Sequence, residues 1–143
     1  MFNQQTRDAP ALATQLHQTL ATALLSQGAQ NADNILFSRA IFSTNVTFSP
    51  DSEASAGHYK PDLVSINTSS QAVSELTVQN GLAKVWTELD PAAETEVHAS
   101  IQSAIVSIRK LADEDSDATF EVFVTGSLHL VGGVLEVLET IKR

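Results

Sequence analysis

The chain has 143 residues, of which 43% are apolar and 17% charged; that mix belongs to one globular domain with a single core and excludes a disordered segment. Its 17 Asp and Glu against 8 Lys and Arg give a net charge of −9, and such a surface repels phosphate backbones, which argues against a nucleic-acid partner. The absence of cysteine excludes disulfides, thiolate catalysis and cysteine–zinc sites, while the lack of any apolar run near the ~20 residues that span a bilayer and the polar start MFNQQTRDAP point to an intracellular protein with no membrane partner.

Met1-Phe2 reads as the tail of a strand. Asp8 suits a helix N-cap, with Pro10 tolerated in the first turn. Leu12, Leu16, Leu20 and Leu24 recur every fourth residue beside Ala13, Ala23 and Leu25. The spacing predicts an amphipathic helix over 9–27, stopped by Gly28. Ala40-Ile41-Phe42 reads as a buried strand. Residues 49–62 collect Pro, Gly, Ser and Asp and read as a loop, with Leu63–Ile66 as a brief extended piece. Residues 70–89 read as helix in two parts, the second carrying Leu76, Leu82, Val85, Trp86 and Leu89, until Asp90-Pro91 breaks the pattern. Thr95–Ala99 suits a short strand. Ser100 caps a helix that presents Ile101, Ala104, Ile105, Ile108 and Leu111 on one face. The acidic run Asp113–Asp117 reads as a solvated loop, since it lacks the ligand order of an EF-hand. Thr119–Val124 is rich in β-formers and is the clearest strand. Thr125-Gly126-Ser127 turns the chain into a last helix from Leu128 to Ile141, with Val131, Val134, Leu135, Leu138 and Ile141 facing inward. Strands alternate with helices, which predicts an α/β fold: a mostly parallel sheet covered by helices on both faces.

The stretch VFVTGSLHLVGGVLEVL, residues 122–138, carries the chemistry. A strand runs through a Thr-Gly-Ser turn into a helix, whose first N–H groups are unpaired and whose dipole end is positive. The hydroxyl of Ser127 adds a donor beside them, and together they suit a carboxylate or phosphate. Ligands of such folds bind at the carboxyl ends of the strands, where this turn lies. Ser127 as a simple N-cap fits the same residues. Gly132-Gly133 costs the helix about 1 kcal/mol per glycine against Ala, so a close neighbour is expected there, either another element or a ligand. His129, in the first helical turn, is a candidate contact or an ordinary surface side chain. His17, His58 and His98 have no metal-ligand spacing. Neither G-x-x-x-x-G-K-[ST] nor G-x-G-x-x-G occurs, so the sequence holds no recognisable triphosphate cradle.

VTGSLHLVGGVLEVLE resembles the C-terminal signature of eukaryotic folylpolyglutamate synthases. Three more stretches resemble that family in the same order: residues 2–8 (FNQQTRD), 42–48 (FSTNVTF) and 59–67 (YKPDLVSIN), with Leu76, Val78, Gln79 and Trp86 also fitting, most like fungal members. The resemblance implies a Mur ligase C-terminal domain over residues 1–143, three-layered and Rossmann-like, without the family's ATP-binding domain and without the domain's own first strand. It implies a family reaction that joins glutamate to folate-bound glutamate with ATP and Mg²⁺ through an acyl-phosphate, in the cytoplasm or mitochondria. The nucleotide and metal belong to the full-length family, so this chain is expected to hold no cofactor and to be inactive alone. Its expected ligand is a carboxylate, glutamate or folate. Ser127 corresponds to the serine associated with the glutamate site and His129 accompanies it; Asn3 and Arg7 match a loop facing the same cleft, where Arg7 would pair with a carboxylate. A missing first strand would leave an open apolar edge, so a homo-oligomer or dependence on a partner is expected. A stand-alone binding or regulatory protein, or a recruited nucleotide-independent enzyme, fits the same residues.

Overall fold

The structure, a computed structural model, describes residues 8–26, 37–49, 76–114 and 119–141. In chain order its elements are α1 (Ala9–Ser26), β1 (Arg39–Ser43), α2 (Thr77–Leu89), β2 (Glu94–His98), α3 (Ile101–Glu114) and α4 (Leu128–Ile141). The expected helix stop at Gly28, most of the 49–62 loop, Leu63–Ile66 and residues 70–75 lie outside the described residues.

β1 and β2 pair as neighbours in one sheet. The Glu94 N–H donates to the Ser38 carbonyl at 3.0 Å and the Thr44 N–H to the His98 carbonyl at 3.3 Å. Partners ascend together along both strands, so the pair is parallel. Parallel neighbours need a crossover, and α2 lies within it. The fold is thus α/β with a parallel sheet, as expected, and among the described residues the sheet has two strands. Thr119–Val124 corrects the sequence reading. Residues 119–125 belong to no strand, and Phe120, Val122 and Phe123 are exposed. β-propensity expresses packing against cross-strand and same-face neighbours, and among the described residues no strand pairs with this segment.

The described chain divides into two compact units. In the first, residues 1–42 and 67–97, α1 packs on α2. Asp8 caps α1 as expected, its Oδ1 accepting from the Ala11 N–H at 3.1 Å. Trp86 is the anchor, 4% exposed. It meets the His17 ring edge-on at 5.5 Å and the rings of Phe37 and Phe42 at 6.3 Å. Only Ala13 of α1 is buried, and Leu12 and Leu25 are exposed, so the leucine stripe covers less than its period promised. α2 ends where Asp90 leaves helical geometry, its N–H still donating to the Trp86 carbonyl at 2.8 Å. Across the strand pair the Arg39 guanidinium forks onto Glu94 and Glu96. The hydrogen bond to Glu96 and the charges of both carboxylates raise the Arg39 pKa against the opposing effect of burial.

The second unit, residues 43–66 and 98–143, holds a core of Phe48, Ile101, Ile105 and Val137, with Ile108, Leu130, Val134 and Leu138 against it. Ser100 caps α3: its Oγ accepts from the Ser103 N–H at 3.1 Å and pairs with Ser49 Oγ at 2.9 Å. α3 buries Ile101, Ala104 and Ile105, as its spacing predicted. α4 spans the residues expected of it but is turned differently. Val137 is its fully buried side chain, whereas Val131, Leu135 and Ile141 are exposed. At ~100° per residue, Val131 and Leu135 lie about 120° and 160° round the helix from Val137. The buried stripe runs instead through Leu130, Gly133, Val134, Val137 and Leu138.

Candidate functional site

The turn into α4 is built as its sequence requires. Gly126 has φ +128°, a backbone state that side chains rarely adopt. Ser127 then caps the helix. Its Oγ accepts from the Leu130 N–H at 3.1 Å and its carbonyl from the Val131 N–H at 3.1 Å. The same Oγ donates to Asn45 Oδ1 at 3.3 Å, joining residues 82 apart in sequence. Ser127 is therefore a cap and also half of a polar pair. The N–H groups of Leu128 and His129 come too early in α4 to have intrahelical partners, and they stand at its positive end.

Asn45 lies just past the carboxyl end of β1 in a turn that Thr44 holds. Thr44 is buried; its Oγ1 donates to the Ala99 carbonyl at 2.7 Å and accepts from the Val46 N–H at 3.1 Å. The carbonyls of Val46 and Thr47 accept from the N–H groups of Ile101 and Gln102 at 2.8 and 2.9 Å. Main chain and the Ser100 cap thus occupy the start of α3, which leaves no anion site there. At Gly133 the close neighbour is protein: a Cβ would stand 2.4 Å from Ile101 Cδ1 and 3.3 Å from Thr47 Oγ1, while Gly132 has nothing within 4 Å. Gly133 thus serves the packing of α4 against Ile101 and Thr47.

Of the four expected site residues, the structure places Ser127 and His129 in the first turn of α4 or beside it. His129 is exposed and takes no part in the Ser127–Asn45 pair. Asn3 and Arg7 lie outside the described residues. Asn45 was not singled out from the sequence as a site residue. The signal that could have found it is a polar residue just past a strand's carboxyl end, where ligands of α/β sheets bind.

Among the described residues no three His, Asp or Glu side chains gather as a metal ion would need. No described helix is long and apolar enough to cross a membrane.

No family model and no solved structure matches the chain. Folylpolyglutamate synthases of Saccharomyces cerevisiae do: those of strains YJM789, RM11-1a and AWRI1631 are each 43% identical over 142 residues. The match covers 99% of this chain, which spans only 22% of the length of those relatives. The resemblance carried by FSTNVTF and VTGSLHLVGG is borne out: over nearly its whole length this chain is related to fungal folylpolyglutamate synthases.

Proposed function

We propose that residues 1–143 act as the glutamate-side, C-terminal domain of an ATP-dependent ligase that lengthens folate-bound glutamate chains in the cytoplasm. The observation that carries this reading is 43% identity to folylpolyglutamate synthases over 99% of the chain. The turn before α4 supports it. A helix dipole, early N–H groups and a polar side-chain pair suit the carboxylate of an incoming glutamate. The domain's part in catalysis is to hold that amino acid so that its amine meets an activated carboxyl while water is excluded. His129 stands beside this turn in the first turn of α4, and Arg7 and Asn3, matched by the family resemblance, are further candidates for contact with the carboxylate. ATP and Mg²⁺, which the family reaction uses, are held by groups other than the described residues. The 143 residues alone therefore bind glutamate without turning over, and act together with a second copy or a partner protein.

Two measurements test the reading. Calorimetry with L-glutamate should give saturable binding to the wild-type chain, weakened by Ser127→Ala. An assay with folate substrate, glutamate, Mg²⁺ and ATP should yield no ADP above background from the pure chain. Absence of any glutamate binding at millimolar concentration would sink the site, and robust turnover would sink the assignment of the chemistry to other groups.

A further inference from the structure

The hydroxyl of Ser127 has one proton. In this structure that proton goes to Asn45 Oδ1 at 3.3 Å, while the oxygen already accepts from the Leu130 N–H. Ser127 cannot donate to a carboxylate without giving up Asn45. The carboxamide differs: with Oδ1 engaged, both hydrogens on Nδ2 lie outside the pair, and among the described residues the Asn45 side chain makes no other hydrogen bond.

We propose that Asn45 supplies the side-chain donor to the ligand's carboxylate and that Ser127 is the positioning residue that fixes the carboxamide. The proposal rests on the reading of this turn as a glutamate site and assigns its donor. Two features make Asn45 fit for the role. Its turn is held by three hydrogen bonds of Thr44, through its N–H to the His98 carbonyl and through Oγ1 to the Ala99 carbonyl and the Val46 N–H, so the carboxamide is carried on ordered main chain. It also stands past the carboxyl end of β1, the side of a parallel sheet where ligands bind, and it reaches α4 from a segment distant in sequence. The pair therefore exists only when residues 43–49 and the start of α4 are folded together, which couples ligand recognition to the packing of this unit.

Asn45→Asp is the informative variant. It keeps an acceptor for the Ser127 proton but puts a negative oxygen where the amide donated. Calorimetry should show L-glutamate affinity falling by about tenfold or more, the loss of a hydrogen bond to a charged group plus like-charge repulsion, with the thermal midpoint kept. Ser127→Ala should lose less affinity, because Asn45 remains. A second readout needs no variant. The Asn45 side-chain amide resonance of ¹⁵N-labelled wild type should shift as glutamate is titrated. Wild-type binding with an unmoved Asn45 resonance, or with full affinity in a folded Asn45→Asp, overturns the role of Asn45 and leaves the glutamate site standing. No binding to wild type overturns both.

Discussion

Gly133 and Ile101 share a space that admits only one side chain. A Cβ on residue 133 would stand 2.4 Å from Ile101 Cδ1, and Ile101 is 1% exposed, packed with Phe48, Ile105 and Val137. Ile101 is held on its other sides by that core, so the clash falls on α4. Gly133→Ala should destabilise the protein by about 1–3 kcal/mol through overpacking, partly offset by better helix propensity. Gly132→Ala, one residue away with nothing within 4 Å, should stabilise it by up to about 1 kcal/mol. Denaturant melts of the two variants check the contrast. Equal effects would mean that α4 does not approach Ile101 as described.

Ser100 and Ser127 are both helix caps, but their loss should not be equal. Ser100 is fully buried and serves the Ser103 N–H, Ser49 Oγ and Ser103 Oγ together. Ser100→Ala should cost about 2 kcal/mol, a lost cap plus a buried hydroxyl left without its partner. Ser127, half-buried, should cost about 1 kcal/mol as a cap. If Ser127→Ala proved the more damaging in a chemical melt, the polar pair with Asn45 would be a structural support first.

Much of this fold was legible wherever a period met a punctuation mark. Asp8, Ser100 and Ser127 announced three helix starts, and Asp90-Pro91 one helix end, because capping and proline chemistry are local. What depended on neighbours was not legible. Thr119–Val124 has strand composition, yet composition alone does not pair it with a strand among the described residues. The rotation of α4 onto Val137 is set by Gly133 fitting against Ile101, a contact between residues 32 apart. Within the site, Ser127 was readable because its turn has a sequence form. Asn45 has only its place past a strand's carboxyl end to mark it, and its partner Ser127 lies 82 residues away.

Arg39 bridges Glu94 and Glu96 across β1 and β2 and so ties the register of the parallel pair. Its raised pKa has a simple sign. The stability it brings is fully present below the unfolded arginine pKa and is lost only as strong alkali deprotonates the folded guanidinium, so it is constant across neutral pH. The groups are partly solvated, which keeps the contribution below about 1 kcal/mol. Arg39→Lys should lose most of it, since an ammonium cannot fork onto two carboxylates. The difference from wild type should shrink in high salt. Thermal melts at low and high salt check this, and a salt-independent loss would mean that Arg39 acts through packing of its stem.

Leu128 and Phe123 flank the Thr-Gly-Ser turn, and both are open to solvent. Leu128 is 90% exposed, and Phe120, Val122 and Leu135 are exposed nearby in sequence. Exposed apolar side chains in this number are unusual on a stable monomer, and covering them yields about 25 cal/mol for each Å² removed from water. A second copy of the chain offers the same residues, so self-association through them is expected at micromolar concentration. Charge opposes it: two chains each carrying −9 repel one another. Screening that repulsion with salt should therefore tighten the association, the reverse of an interface built on ion pairs. Phe123→Lys with Leu128→Lys should weaken it at every salt concentration while leaving the core of Phe48, Ile101, Ile105 and Val137 intact. Size-exclusion chromatography with light scattering, at low and high salt, reads all of this. A wild-type chain that stays monomeric in both would show that these apolar residues are tolerated in water.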